Sequence, residues 1–141
     1  MTAGLTISVL DREYDLLDVE FRASSERFSA TTRIYVGLEE LKNFATVIAG
    51  FPANLRDKRQ YEFGRRGRPY AGGYCGLNFA CWDNKGHVAV DVDIEDDAGR
   101  FETGIAKFRF IFEAAGLDRF VKRLHELDQE NSGNATLPLA R

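Results

Sequence analysis

The chain of 141 residues is long enough for one domain, and its hydrophobic fraction of 44% and charged fraction of 29% are those of ordinary globular proteins. A formal net charge of −3 favours solubility and predicts no particular partner. No apolar run approaches the roughly 20 residues that cross a membrane. The N-terminus has neither the basic nor the long apolar segment of a signal peptide, so we expect a cytoplasmic protein.

Three strands and one helix are predicted in the first part of the chain. Apolar and polar residues alternate in segments 5–10, 17–22 and 28–36, which is the period of a half-buried β-strand. After Gly37 the apolar residues recur at steps of three and four, the spacing of an amphipathic helix, and Pro52 marks its end. The apolar stripe of this helix consists of Leu38, Leu41, Phe44, Ala45 and Ile48.

The clearest local signal is a β-hairpin over residues 74–97. Two alternating runs flank the four-residue turn 83–86, which ends in glycine and favours a tight hairpin. The second run has one apolar and one polar face, so one side of the antiparallel sheet is covered and the other faces solvent. The apolar face carries Val88, Val90, Val92 and Ile94, and the polar face carries Ala89, Asp91, Asp93 and Glu95.

A long strand and a second helix follow the hairpin. Residues 101–112 alternate, but the first half is out of phase with the second, which predicts a β-bulge near Gly104. A helix of about 15 residues with an apolar stripe is expected from Ala114. Residues 129–141 are polar and lack periodicity, which predicts a flexible C-terminal tail after a single domain at 1–128.

These elements predict an α+β fold. We expect a single mainly antiparallel sheet of six to seven strands, with two amphipathic helices packed on one face. Each half of the chain reads as strands followed by a helix, which is consistent with two strand-strand-helix halves. Duplication and convergent patterning both explain this internal likeness.

The sequence contains no motif of catalysis, metal binding or phosphate binding. His87 and His125 have no nucleophile or metal ligand at a meaningful spacing. Cys75 and Cys81 lie on one predicted strand about 20 Å apart, too far for a disulfide. We interpret them as buried free thiols, which are typical of a reducing compartment. We expect a protein that is not an enzyme and that uses no cofactor or metal.

An acidic run at the end of the central hairpin is the first candidate binding surface. Its carboxylates project from one strand. They either form a solvent-exposed face of the sheet or bind a basic partner protein by charge complementarity. The candidate partner-binding residues are Asp91, Asp93, Glu95, Asp96 and Asp97.

A basic and aromatic loop at residues 56–74 offers an alternative. Clustered arginines beside tyrosines can grip phosphate and stack on bases, which predicts a ligand- or nucleic-acid-binding loop. The acidic balance of the whole chain argues against nucleic acid as the partner. The candidate contact residues of this alternative are Arg65, Arg66, Arg68, Tyr70 and Tyr74.

Several segments resemble a group of small bacterial domains that includes the WapI-type immunity proteins of contact-dependent toxin systems. The resemblance spans residues 15–128 and rests on segments 28–35 and 86–92, a Leu-x-x-Leu helix and a terminal Leu-x-x-Phe helix. These segments are structural motifs rather than catalytic or binding motifs, so the resemblance assigns no functional residue in this chain. The resemblance implies a non-enzymatic protein that binds and neutralises a cognate toxin domain, and this is our leading hypothesis.

Overall fold

The computed structural model describes residues 3–65, 73–97 and 103–140. Within these ranges the chain forms eight strands and two helices, and long-range strand pairing dominates its contacts. In chain order the elements are β1 (Gly4–Arg12), β2 (Leu16–Ser24), β3 (Ser29–Gly37), α1 (Glu40–Ile48), β4 (Lys58–Gly64), β5 (Tyr74–Cys81), β6 (His87–Asp97), β7 (Thr103–Glu113), α2 (Ala114–Leu127) and β8 (Gly133–Pro138).

The strands form two antiparallel sheets of four strands each. Sheet A has the order β3-β2-β1-β8, and sheet B has the order β4-β5-β6-β7. The α+β class is therefore confirmed, whereas the single sheet of six to seven strands is wrong. Alternation in the sequence shows that each strand buries one face, but it does not show which strands are neighbours.

The C-terminal segment corrects the prediction of a flexible tail at 129–141. Residues 133–138 form β8, which pairs with β1 and completes sheet A. Ala135 and Leu137 are 1% and 0% exposed, because they lie opposite Ile7 and Leu5 on the buried side of the sheet. A strand with two apolar positions is too short for periodicity to reveal it, and its neighbour lies at the other end of the chain.

The central hairpin and both helices form as predicted, except that Leu38 lies in the turn before α1 rather than in the helix. β5 and β6 pair in one continuous register, and α1 and α2 bury their apolar stripes. The bulge near Gly104 is wrong, because β6 and β7 pair without a register shift from Asp97 and Thr103 to His87 and Glu113. Without the bulge, Ile105 stays on the outer side of sheet B, where 64% of its surface is exposed.

One aromatic cluster joins the two sheets and the helices. Phe44 of α1 lies at its centre, with ring centroids 5.2 Å from Phe63 in β4, 6.3 Å from Phe79 in β5 and 6.2 Å from Phe120 in α2. Phe63 also contacts Phe21 of sheet A at 4.6 Å. All five rings are buried, so the two sheets share one hydrophobic core.

The two halves of the chain repeat one order of elements, which is three strands, a helix and a strand. The last strand of each half pairs with the first strand of the other half, as β4 does with β5 and β8 with β1. The buried stripes of the helices match in spacing, with Leu41, Phe44 and Ile48 in α1 and Leu117, Phe120 and Leu124 in α2. The predicted strand-strand-helix halves are therefore larger units whose terminal strands are exchanged.

The packing of β8 predicts different effects for two neighbouring substitutions. Leu137→Ala removes a fully buried side chain and should lower the free energy of unfolding by about 2–5 kcal/mol. Asn134→Ala changes an exposed side chain of the same strand and should cost less than about 0.5 kcal/mol. Urea unfolding followed by circular dichroism measures both. Equal, small losses would instead support a tail that contributes nothing to the core.

Candidate functional site

The acidic residues of β6 face matching cations across the strand pair. On the outer side of sheet B, Asp91 lies opposite Arg109 of β7, and Asp93 lies opposite Lys107. The Arg109 guanidinium donates from Nε to Asp91 Oδ1 at 2.6 Å and from Nη2 to Oδ2 at 3.2 Å. Lys107 Nζ lies 4.0 Å from Asp93 Oδ2. Two of the predicted docking carboxylates are therefore neutralised by cations of the same sheet.

The other acidic residues do not extend this row as one exposed patch. Glu95, Asp96 and Asp97 are half-buried at the end of β6. Asp96 lies on the opposite side of the strand, where Thr32 Oγ1 of β3 donates to its Oδ1 at 2.8 Å. The same hydroxyl lies 3.2 Å from the backbone oxygen of Glu95. This contact ties sheet A to sheet B, so Asp96 has a structural role.

The basic loop is described only at its ends. Arg66, Arg68 and Tyr70 lie outside the described residues, and Arg65 is exposed just after β4. Tyr74 opens β5 and is 6% exposed, because its ring lies over Gly76, where a Cβ would come within 2.6 Å of the tyrosine hydroxyl oxygen. A buried ring offers little surface for stacking on a base.

Strand β7 differs from the other outer strands in what covers it. β3 lies against sheet B, β4 lies against α1, and β8 lies against α2, where Arg123 Nε donates to the backbone oxygen of Asn134 at 2.8 Å. In the described part of the chain, the outward side of β7 receives one backbone hydrogen bond, from Ala140 N to Ile111 O at 2.8 Å. No residue in the described ranges pairs with the rest of this edge, from Thr103 to Arg109.

The direction of the backbone along β7 follows from these bonds. Ala114 N donates to Gly86 O in the β5–β6 turn, whereas Ile111 O points away from β6. Because N–H and C=O groups alternate in direction along a strand, the backbone groups of Ile105, Lys107 and Arg109 also point away from β6. The open edge extends about 20 Å at about 3.3 Å per residue.

Shallow grooves follow the open edge. One of about 420 Å³ lies between β7, the β2–β3 turn and residues 139–140, and one of about 480 Å³ lies beside Thr103 and Gly104. Phe28 lines the first groove, is 64% exposed and stacks on Phe108 with ring centroids 6.2 Å apart. We define the β7 surface as the open edge of β7 together with Phe28 and the outer side chains of Ile105, Lys107 and Arg109.

An exposed tryptophan extends the β7 surface on the outer side of sheet B. Trp82 follows β5 and is 56% exposed, and the Arg109 guanidinium carbon lies 5.7 Å from the centroid of its ring. Arg109 thus contacts an aromatic ring and a carboxylate at once, which holds its side chain in place. Tryptophan and arginine are the residue types enriched where binding energy concentrates in protein interfaces.

The cysteines and His87, which are the side chains most often used in catalysis or metal binding, lie outside the β7 surface. Both cysteines are free, and burial raises the pKa of the Cys75 thiol to about 12, so this thiol is protonated at neutral pH. His87 Nδ1 lies 2.7 Å from Asp83 Oδ2 in the β5–β6 turn, where the backbone N–H of Lys85 is the main cause of a lowered Asp83 pKa. Residues 3–65, 73–97 and 103–140 contain no group of three side chains that could hold a metal ion.

Comparison of the chain with protein-family models, with curated proteins and with solved structures found no match in any of the three. No helix among the described residues is long and apolar enough to cross a membrane.

Two exposed apolar residues of the β7 surface are not evident from the sequence. Phe28 is the first residue of the predicted strand 28–36, but it precedes β3 and is exposed. For Ile105, the sequence does offer a signal, because its apolar side chain is out of phase with the second half of the strand. A bulge is one explanation of this phase change, and an isoleucine on the outer side of a regular strand is the other. Neither pattern shows that β7 is an outer strand.

The Asp91–Arg109 pair predicts coupled but small effects on stability. Both side chains are 51% exposed, so the pair should contribute about 0.2–1 kcal/mol. Asp91→Arg should destabilise by creating a like-charge pair, and adding Arg109→Asp should restore most of the loss. A double-mutant cycle by urea unfolding measures this coupling. A loss of several kcal/mol in Asp91→Arg, without rescue, would contradict a simple cross-strand pair.

Proposed function

We propose that this chain is a non-enzymatic protein-binding module that engages its partner through the β7 surface. The observation that carries the proposal is the stretch of β7 from Thr103 to Arg109, whose outward backbone no described residue pairs with, whereas β3, β4 and β8 pack against sheet B, α1 and α2. Proteins usually protect the outer strands of their sheets, since exposed N–H and C=O groups invite pairing with another chain. An edge left open beside exposed aromatic and arginine side chains has the character of a binding surface.

The finer proposal is that the partner is a toxin domain, so that the chain acts as an immunity protein. The resemblance of residues 15–128 to the WapI-type immunity group supports this partner class. An immunity protein neutralises its toxin by binding it and therefore needs an interface rather than reacting groups. The β7 surface supplies apolar, aromatic and charged side chains next to each other, as interfaces require.

The two surfaces inferred from the sequence have different support. Within the acidic run, Asp91 and Asp93 contribute by orienting Arg109 and Lys107, rather than by a net negative potential. Ligand or nucleic-acid binding by the 56–74 loop has less support. Arg59, which the sequence places in that loop, lies in β4 and is held by Asp57, and Tyr74 at the end of the segment is buried.

Two exposed aromatic residues allow a matched test of the β7 surface. Phe28 lines a groove beside β7 and is 64% exposed, whereas Tyr35 lies on the outer side of sheet A and is 58% exposed. Phe28→Glu should weaken partner binding by at least about tenfold, since apolar anchors dominate interface energies. Tyr35→Glu should leave the affinity within about twofold.

The partner for this test is a toxin domain encoded beside the gene, and the affinities are measured by titration calorimetry. Protection of bacterial growth during expression of the same toxin domain is the second measurement. Circular dichroism confirms that both variants are folded. No binding of the adjacent toxin domain by the unaltered chain, or equal effects of the two substitutions, would contradict the proposal.

A further inference from the structure

We propose that the partner binds by strand addition, placing an extended segment along the open edge of β7 as a fifth strand of sheet B. This inference rests on the proposed function and specifies its mode and chemistry. The segment should alternate acidic and apolar residues, with its acidic side chains on the outer side of the sheet and its apolar side chains toward Phe28.

The backbone of β7 is prepared for such pairing. Ile105, Lys107 and Arg109 present their N–H and C=O groups away from β6, while the intervening residues pair with β6. An extended segment of about six residues covers the open stretch at about 3.3 Å per residue. Ala140 N already pairs with Ile111 O, so one strand-like hydrogen bond occupies the end of this edge. An added strand continues this pattern toward Thr103.

The positive charges of β7 on the outer side of sheet B favour acidic residues at those positions of the segment whose side chains lie on the same side. Among the described residues, the carboxylates that contact Lys107 and Arg109 are those of Asp93 and Asp91, both on the β6 side. Lys107 is 69% exposed and can contact a strand on its other side, whereas the Arg109 guanidinium extends over β6 toward Asp91 and Trp82 and contributes positive charge near the edge. Acidic residues opposite Lys107 and Arg109 would continue the alternation of charge across the sheet, and opposite-charge pairs on adjacent strands are stabilising.

The inner side of the edge specifies apolar residues at the intervening positions. The groove beside β7 is lined by the apolar residues Phe28, Phe108, Phe110 and Leu139, and Ser25, Glu26 and Arg27 of the β2–β3 turn also line it. Successive side chains of a strand point to opposite sides of a sheet. A segment whose outward residues lie beside Lys107 and Arg109 therefore directs its remaining side chains toward the apolar residues of this groove.

A second copy of this chain fits the edge less well. Antiparallel pairing of two β7 strands along the open stretch would set its outward residues opposite one another. None of these residues is acidic, so no register within this stretch gives Lys107 or Arg109 a carboxylate. The outward residues are Thr103, Ile105, Lys107 and Arg109. A partner with acidic side chains supplies the complementary charge that a second copy lacks.

Two synthetic peptides and one backbone substitution test the mode of binding. The probes are capped peptides of about eight residues, one alternating Glu and Val and the other alternating Lys and Val. The Glu–Val peptide should shift the amide resonances of Ile105, Lys107 and Arg109 in an NMR titration. The Lys–Val peptide should bind at least about tenfold more weakly.

Ile105→Pro removes an outward N–H that bonds no strand, so the ladder to β6 should survive and the variant should fold. It should reduce binding of the Glu–Val peptide at least about tenfold, whereas Tyr35→Glu on sheet A should not. Lys107→Glu provides an independent variant, and it should reverse the preference between the two peptides.

The outcomes separate this inference from the proposed function. Equal binding of both peptides, or unchanged preference in Lys107→Glu, would overturn strand addition by an acidic segment. Concentration-dependent dimerisation through β7 in analytical ultracentrifugation would also overturn it, in favour of a second copy. Suppose that Phe28→Glu weakens binding of the adjacent toxin domain while a folded Ile105→Pro binds it normally. Strand addition then fails and the proposed function stands. If neither variant weakens binding of the toxin domain, strand addition and the proposed function both fail.

Discussion

The pairing of β1 with β8 is the constraint on which the rest of the structure depends. It joins the two ends of the chain and gives sheet A its fourth strand. Arg12, at the end of β1, reinforces this closure, because its guanidinium donates to the backbone oxygens of Asp128 at 2.7 Å and of Glu130 at 3.1 Å. The segment between α2 and β8 is thereby held against β1. Neither half of the chain completes its own sheet, so the aromatic cluster around Phe44 requires both halves.

The exchange of terminal strands also decides which sheet edges remain open. It places β4 and β8 in outer positions, where they pack against α1 and α2. The opposite edges are β3 and β7, which occupy equivalent places in the two halves. β3 lies against sheet B through the contact of Thr32 with Glu95 and Asp96, whereas β7 has no equivalent cover from Thr103 to Arg109 among the described residues. The β7 surface therefore arises where the internal symmetry of the fold is broken.

Sequence reasoning succeeds where a pattern is local and long. The hairpin of β5 and β6 and the two helices follow from periodicity over many residues, and an apolar stripe such as that of Leu117 and Phe120 has one stable solution, which is burial. It fails for neighbours that are distant in sequence. The pairing of Leu137 with Leu5 and the division of the strands into two sheets depend on tertiary packing, which alternation does not encode.

The candidate site shows the same limit. The sequence correctly predicts that Asp91 and Asp93 lie on the outer side of a sheet. Whether these carboxylates are free or paired depends on the register with β7, which places Arg109 and Lys107 opposite them. In sheet A, Arg33 of β3 forms the corresponding cross-strand ion pair with Asp18 of β2, donating from Nε to Asp18 Oδ1 at 3.4 Å. Cross-strand charge pairing is thus a feature of both halves. The difference between the halves is the open edge of β7, and its neighbour Phe28 lies in a turn whose position no local pattern predicts.

Amide hydrogen exchange in the isolated protein tests the open edge most directly. The amides of Ile105, Lys107 and Arg109 should exchange rapidly, while those of Phe108 and Phe110 should be protected by pairing with β6. This alternation along one strand is readable by NMR without any partner. Uniform protection along β7 would show that another part of the chain already occupies the edge, and it would contradict the central claim.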